Sequence, residues 1–197
     1  WDKGSLSSAV YYRHTTDVIN RIRIPNDDGT TFMQPQNLAT QDDFGLEFTY
    51  SYNPFKWWRI NGDVNFFRSI TDGKLETETR TFILDADTYT WRGRITSKLT
   101  IKKNLDIQLT GNYRAPRETT TGRALAMYHF DLGVSRDVLK NNGTLTLSVR
   151  DMFNTRKRRY SNDFENFISE GEFQWRQRQI TLSLNYRINK KKERGGM

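Results

Sequence analysis

The chain has 197 residues, and its 31 Lys and Arg against 23 Asp and Glu give a formal charge of +8 at pH 7. It has no cysteine and two histidines, which excludes a disulfide framework, a thiolate metal site and a cysteine nucleophile. Its 12 Phe, 9 Tyr and 5 Trp exclude a disordered protein, and no apolar run is long enough for a transmembrane helix. Because the sequence starts at Trp1 without a signal peptide or an initiator Met, we expect a mature or truncated segment.

Most of the excess positive charge lies in two short clusters, one at 156–159 and one at 190–194. A protein that binds nucleic acid would instead carry its basic residues along one face or groove. The clusters therefore predict solvated charge at the ends of secondary-structure elements, and they predict no nucleic-acid partner.

The first half of the chain alternates between apolar and polar residues with a period of two, which predicts strands with one apolar and one polar face. The first such strand includes Val10 and Tyr12 and is expected to end before Pro25. Asn53 and Pro54 mark a tight turn, since proline does not fit a central strand. The later predicted strands of this half cover 43–53, 57–71 and 87–101.

The second half continues the same alternation after a tight turn at 102–104. Asn142 and Gly143 form a dipeptide that strongly favours a β-hairpin. The alternation loses its phase near 151–153, which predicts a bulge there. The predicted strands of this half cover 105–116, 126–135, 145–149 and 179–188.

About eight strands joined by hairpins predict an all-β, antiparallel, up-and-down transmembrane barrel segment over residues 1–188. Short turns at one end alternate with longer polar loops at the other, an asymmetry typical of outer-membrane barrels. The short turns are 53–56, 102–104 and 138–143, and the predicted long loops lie near 25–36, 72–84, 117–123 and 158–168. The remaining residues, 189–197, form a basic tail.

The apolar rows could face either the core of a soluble β domain or the lipid around a membrane barrel. They carry bulky aromatic residues in nearly every strand, which would overfill a small barrel interior. Several strands also reach the length of about 9–11 residues that spans a bilayer. We therefore predict that the apolar rows face lipid and that the polar rows face a hydrated lumen. The charged candidates for the lumen are Glu47, Arg59, Asp63, Arg92, Arg94, Lys98, Arg114 and Asp131.

Two groups of side chains are expected at the membrane interfaces. Aromatic residues near strand ends suit the interfacial belts, and the candidates are Tyr52, Trp57, Trp58 and Tyr186. The basic cluster at the loop end is expected on the outer face, in contact with phosphates of the outer leaflet. Its members are Arg156, Lys157, Arg158 and Arg159.

Part of the polar row is a basic stripe on neighbouring strands, made of Arg92, Arg94, Lys98 and Arg114. Such a stripe could guide an anionic ligand or pair with acids outside this segment. The alternative is that acidic residues of the same row neutralise it. Those residues are Glu47, Asp63, Asp106 and Asp131.

Several segments, taken in order, resemble TonB-dependent outer-membrane receptors, in particular the branch with an outer membrane protein β-barrel domain at the C-terminus. They are 11–19 (YYRHTTDVI), 37–40 (NLAT), 44–47 (FGLE), 52–58 (YNPFKWW), 113–116 (YRAP), 151–156 (DMFNTR) and 173–176 (FQWR). The resemblance covers almost all of residues 1–188, and it implies a barrel of about 22 strands around a plug domain. This chain would supply its C-terminal strands. A self-contained eight-stranded barrel is the alternative, since about eight strands can close.

By this resemblance, the intact protein would import a nutrient such as an iron–siderophore complex, a cofactor or an oligomer, with energy supplied through TonB, ExbB and ExbD. Its other partners would be outer-membrane lipid and lipopolysaccharide, the plug domain, the remaining strands and the barrel-assembly machinery. The last strand resembles the assembly signal of such barrels, which here would be Ile180, Leu182, Leu184, Tyr186 and Ile188. It departs from the family in ending on Ile188 instead of an aromatic residue, and in the basic tail that follows.

Catalysis is another class of function to weigh. His129 has Asp131 on the same face of its predicted strand, but no nucleophile motif, phosphate-binding loop or metal-ligand cluster accompanies them. We therefore predict no enzymatic activity and no cofactor. A soluble lipid-binding or protein-binding β domain is a third alternative.

Overall fold

The computed structural model describes residues 2–25, 30–76, 81–102, 104–164 and 167–188. Within these residues the chain forms strands joined by turns. The strands are β1 (Gly4–Pro25), β2 (Thr31–Phe55), β3 (Trp58–Glu76), β4 (Thr81–Ile83), β5 (Ala86–Ile101), β6 (Leu105–Arg114), β7 (Arg117–Thr119), β8 (Gly122–Ala124), β9 (Met127–Val138), β10 (Gly143–Arg150), β11 (Arg158–Phe164), β12 (Phe167–Phe173) and β13 (Gln179–Tyr186). Helices long and apolar enough to cross a membrane do not occur in this part of the chain.

The main sheet has the order β1-β2-β3-β5-β6-β9-β10-β13, and β4 also pairs with β3. Every neighbouring pair is antiparallel, as hairpin connections require. The predicted antiparallel up-and-down order is therefore confirmed. In the described residues β1 and β13 lie at opposite edges of the sheet and do not pair, so the sheet is open and forms no closed barrel.

A second, four-stranded sheet has the order β12-β11-β8-β7 and continues the main sheet at the loop end. The β6–β9 hairpin breaks at Ala115 and Pro116 and then resumes as β7 and β8. The β10–β13 hairpin breaks at 151–157 and 174–178 and resumes as β11 and β12. Proline explains the first break, because it has no N–H to donate to the ladder. Because β8 pairs with β11 just as β9 pairs with β10, the second sheet continues the strand order of the main sheet across the breaks.

The predicted long loops differ from the structure. Paired strands continue through most of 25–36, 72–84, 117–123 and 158–168, and the β1–β2 ladder runs on to the pair Pro25 and Thr31. Within those ranges, 26–29, 77–80 and 165–166 lie outside the described residues. The loops were expected where the apolar alternation stops. That signal reports which face is apolar and does not report whether the backbone is paired.

Tight turns lie at the opposite end of the sheet, as predicted, but the first one comes later than 53–56, because Pro54 still belongs to β2, whose ladder is irregular between Tyr52 and Phe55. Of the predicted turn at 102–104, residue 103 lies outside the described residues. Lys56 and Trp57 join β2 to β3, and residues 139–142 join β9 to β10 just before Gly143. Leu139, Lys140 and Asn141 all have positive φ, with values from 52° to 67°, so this turn uses left-handed backbone without glycine. The predicted bulge near 151–153 is a turn in which Asp151 and Asn154 also have positive φ.

Most large apolar side chains of the main sheet are exposed or half-buried, whereas several polar side chains of the opposite face are buried, namely Asp43, Asn65, Thr88, Thr90, Thr110 and His129. Among the described residues the buried apolar side chains are few, namely Ala39, Leu75, Leu84 and Ala115. Phe48 is 36% and Leu182 67% exposed, whereas Asp43 is 2% exposed. This inverts the pattern of a soluble protein. The alternative of a soluble β domain with an interior apolar core is therefore wrong.

Candidate functional site on the polar face

The polar face is built by cross-strand pairing of the polar positions. One row across the sheet joins Glu47, Asn65, Arg92 and Arg114, each paired with the next. Asn65 donates from Nδ2 to Glu47 Oε1 at 2.6 Å, and Tyr11 Oη donates to Asn65 Oδ1 at 3.2 Å. The polar rows of neighbouring strands therefore form one continuous surface.

A glycine in β2 makes room for one of these side chains. Gly45 lies directly opposite Tyr11, and a Cβ atom at Gly45 would come within 2.4 Å of the Tyr11 ring. The Tyr11 ring therefore crosses over β2 and reaches Asn65 on β3. The absence of a side chain at this position, and not backbone freedom, is what the contact requires.

All the predicted lumen residues lie on this polar face. Asp63 is opposite Arg94, Arg59 is opposite Lys98, and Asp131 is opposite Thr110. The register therefore brings together the full set, Glu47, Arg59, Asp63, Arg92, Arg94, Lys98, Arg114 and Asp131.

Acidic residues neutralise only part of the basic stripe. Lys98 Nζ lies 2.9 Å from Asp106 Oδ2, and Thr100 also donates to Asp106 at 2.7 Å. Asp131 Oδ1 instead accepts the backbone N–H of Asp151 at 2.8 Å. Among the described residues no ion pair involves Arg92, Arg94 or Arg114. The expected mutual neutralisation therefore holds for Lys98 and not for the three arginines.

Positive charge accumulates where the main sheet meets the second sheet. Arg92 and Arg114 are direct cross-strand partners, an arrangement in which like charges repel. Arg114 also feels the charges of Arg117 and Arg158 from the second sheet. A negative charge placed between the guanidinium groups would relieve this repulsion and accept charge-assisted hydrogen bonds from them.

A buried turn fixes the backbone beside these arginines. Asp151 is 1% exposed, and its Oδ1 accepts the N–H groups of Thr155 at 2.9 Å and Arg156 at 3.2 Å, while Oδ2 lies 3.1 Å from the Arg156 nitrogen. Asn154 Oδ1 accepts from Gln174 Nε2 at 2.8 Å and from the Arg178 N–H at 3.1 Å. Hydrogen bonds of Asn154 therefore link the two irregular segments that flank the β11–β12 hairpin, 151–157 and 174–178.

Between these elements lies a pocket of about 380 Å³. Five arginines line it, which we call the arginine pocket: Arg114, Arg150, Arg156, Arg158 and Arg176. Met127, Asp151, Phe173, Trp175 and Gln177 complete the lining. Arg114, Met127 and Arg150 occupy polar-row positions of their strands, so the pocket opens on the polar face.

A comparison with family models matches residues 1–186 to the outer membrane protein β-barrel family. The chain belongs to that family. This barrel-family protein lies in the outer membrane of a Gram-negative bacterium. Neither the curated proteins nor the solved structures contain a match to it.

The basic cluster of this outer-membrane protein is divided between two faces, which corrects the prediction that all four side chains face outward. Arg156 and Arg158 line the arginine pocket. Lys157 pairs with Glu172 at 2.7 Å, and Arg159 donates to the carbonyl oxygen of Ala126 at 3.2 Å. Residues next to each other in an extended chain point in opposite directions, so a run of four basic residues cannot share one face.

Three aromatic rings stack beside the β2–β3 turn of this protein. The centroids of Phe55 and Trp57 are 5.2 Å apart, and those of Trp57 and Trp58 are 6.1 Å apart. Trp58 also donates from Nε1 to Ser97 Oγ at 2.9 Å. The predicted belt residues Tyr52, Trp57 and Trp58 thus lie at one end of the sheet, and Phe55 was missed. Tyr186 ends β13 at the same end and is exposed.

The proposed assembly signal lies along β13, which is the edge strand of the main sheet. Ile180, Leu182, Leu184 and Tyr186 alternate along the strand and are exposed, while Ile188 follows beyond its end. The tail, 189–197, lies outside the described residues.

The histidine weighed for catalysis lies near the arginine pocket. His129 is buried, its Nε2 is 4.0 Å from Asp131 Oδ2, and its Nδ1 has no hydrogen-bond partner within the described residues. In the described part of the chain no group of three or more His, Cys, Asp or Glu is placed to hold a metal ion. The absence of enzymatic activity stays a prediction.

Sequence reasoning missed three of the charged residues that line the arginine pocket. Arg150 falls on the polar parity of its strand, so it could have been added to the polar row. Arg176 lies in the break between β12 and β13, where no periodic signal exists. Asp151 was noticed as a loss of phase and as part of the family-like segment 151–156, and neither signal predicted that its carboxylate is buried.

Proposed function

We propose that the chain forms the C-terminal wall of a larger outer-membrane barrel, and that this barrel is a TonB-dependent transporter of a nutrient such as an iron–siderophore complex, a cofactor or an oligomer. The open sheet carries the proposal. All eight residues of β13 are exposed, and β1 and β13 have no partner on their outer sides within the described residues. Unpaired backbone groups are costly in lipid, so both edges need partners, and under this proposal further strands of the larger barrel supply them.

The polar face supports an aqueous, solute-bearing interior for that barrel. It carries several ionised side chains, and three arginines of its stripe have no ion-pair partner among the described residues. A plug domain or a passing solute would meet this surface. Under this proposal TonB, ExbB and ExbD supply the energy, and the assembly machinery reads β13. Under this proposal Lys157 and Arg159, which do not line the arginine pocket, are the members of the basic cluster that contact lipopolysaccharide.

A closed eight-stranded barrel is the second candidate. Eight strands are enough to close, and β1 and β13 run in opposite directions with Gly4 and Tyr186 at the tight-turn end. In this form β1 and β13 would pair with each other, and the protein would be a small outer-membrane barrel with a structural, adhesion or porin-like role.

Cysteine cross-linking separates the two candidates, and the chain has no native cysteine to interfere. Ala9→Cys in β1 is combined in turn with Thr181→Cys, Ser183→Cys or Asn185→Cys in β13, all on the polar face. The three partners sample neighbouring registers, because a disulfide requires Cα atoms within about 7 Å. Thr146→Cys with Ser183→Cys is the positive control, since these residues are direct partners.

We expect the control pair to form a disulfide in outer membranes and the three edge pairs to form none. An edge-to-edge disulfide within one chain would show a closed eight-stranded barrel and refute the larger wall. Transport itself is tested by deleting the protein and growing the host with one limiting nutrient at a time. We expect a growth defect on one nutrient that the restored protein corrects and that loss of TonB reproduces; normal growth on every nutrient would refute import.

A further inference from the structure

We propose that the arginine pocket binds a compact, soluble polyanion that carries phosphate or carboxylate groups. The proposal rests on the proposed function only in placing the polar face toward water. Five arginines line the pocket's volume of about 380 Å³, which is within the usual size of a small-molecule site.

The charge of the pocket is not balanced by the residues that line it. Among the described residues none of its five arginines takes part in an ion pair. Asp151 is the only acidic residue of the lining, and both of its oxygens already accept backbone N–H groups. Guanidinium groups bind phosphate and carboxylate through paired hydrogen bonds, so an anion with several such groups fits this set of donors.

The frame of the pocket is rigid, because paired strands and a buried turn hold four of the arginines. Arg114 ends β6 and Arg150 ends β10, both within the main sheet. Arg158 begins β11 opposite Phe173, and the N–H of Arg156 is fixed by Asp151. A backbone frame that is already ordered loses little freedom when the ligand arrives, which favours affinity.

The position of the pocket favours a soluble anion over a lipid headgroup. Its arginines on β6 and β10 belong to the polar face, whereas acyl chains would lie along the opposite, apolar face. Phe173 and Trp175, whose ring centroids are 6.1 Å apart, form the aromatic part of the lining. These rings can contact the body of a ligand while the arginines hold its charged groups.

The test uses the protein extracted from outer membranes in detergent, titrated calorimetrically with inorganic triphosphate, with citrate, and with a diphosphorylated lipid A in mixed micelles. Removing a charged hydrogen-bond partner typically weakens binding about tenfold or more. We expect Arg150→Gln to weaken the binding of triphosphate or citrate about tenfold, and Arg150→Gln with Arg156→Gln about a hundredfold. Arg59→Gln is the matched control, because Arg59 lies on the same polar face near the tight turns, outside the pocket.

A second variant guards against loss of folding. Arg176→Gln changes a residue between β12 and β13, outside the ladders of both sheets, and it should also weaken binding about tenfold while the heat-modifiable gel mobility stays unchanged. Equal affinity in the native protein and in all pocket variants, or binding of the lipid A probe alone, would overturn the proposal. Such a result would leave the cross-linking of β1 and β13 unaffected, so failure of the pocket and failure of the larger barrel are distinguishable.

Discussion

Replacing Asp151 should destabilise the protein more than any other single change in the turn beside the arginine pocket. The carboxylate is 1% exposed and accepts the backbone N–H groups of Thr155 and Arg156. Each buried donor left without a partner costs about 1–3 kcal/mol, so Asp151→Ala should lower the free energy of unfolding by about 2–6 kcal/mol. A further cost of about 1–2 kcal/mol arises because Asp151 has a φ of 52°, where alanine is strained.

Two other substitutions separate these causes. Asp151→Gly removes the acceptor without the backbone strain, so it should be more stable than Asp151→Ala by about 1–2 kcal/mol. Asp151→Asn keeps one acceptor oxygen and tolerates positive φ, so it should be the mildest of the three. Asp137→Ala is the control, because Asp137 is exposed and accepts one hydrogen bond, from Thr144.

The measurement is urea unfolding of the detergent-solubilised protein, followed by tryptophan fluorescence and by heat-modifiable gel mobility. The expected order of stability is native, Asp137→Ala, Asp151→Asn, Asp151→Gly and then Asp151→Ala. If Asp151→Ala unfolds within about 0.5 kcal/mol of Asp137→Ala, which is the usual effect of a surface change, the turn does not depend on this carboxylate.

Two further predictions concern the two faces of the sheet. Gly45→Ala should lower the free energy of unfolding by about 1–3 kcal/mol because its Cβ would meet the Tyr11 ring. In a double-mutant cycle, Tyr11→Ser should restore most of that loss, and additive changes in the free energy of unfolding would refute the contact. Leu182→Arg, on the apolar face, should destabilise the folded protein by up to about 2–4 kcal/mol, whereas Thr181→Arg, on the polar face, should be tolerated. Equal folded fractions of the two arginine variants on a heat-modifiable gel would refute the assignment of lipid and water to these faces.

Strand order and the two faces could be predicted from the sequence because both depend on local alternation. Phe44 to Tyr52 read as one apolar row, and the structure exposes Phe44, Leu46 and Phe48 while it buries Asp43. Tight turns were predictable in place but not in detail, since Pro54 lies within β2 and Gly143 begins β10, each next to the turn that it signals. The loop end was not, because polar hairpins such as β7–β8 pair their backbones without any apolar signal.

The candidate site could be predicted only in part. The polar parity of Arg92 and Arg114 was visible, but their direct pairing depends on the register of β5 against β6. The cluster at 156–159 was visible as charge. Because side-chain direction alternates along an extended chain, Arg156 and Arg158 lie on one side, and Lys157 and Arg159 lie on the other.

By itself the sequence determined that this protein is a set of long antiparallel strands with one apolar face and one polar face, because side-chain direction alternates at every residue of an extended chain. Only the tertiary structure decided that arginines from β6, β10, the 151–157 turn, β11 and the segment before β13 converge on one pocket. Residues more than 60 positions apart, such as Arg114 and Arg176, meet there because strand pairing sets distance in space independently of distance along the chain.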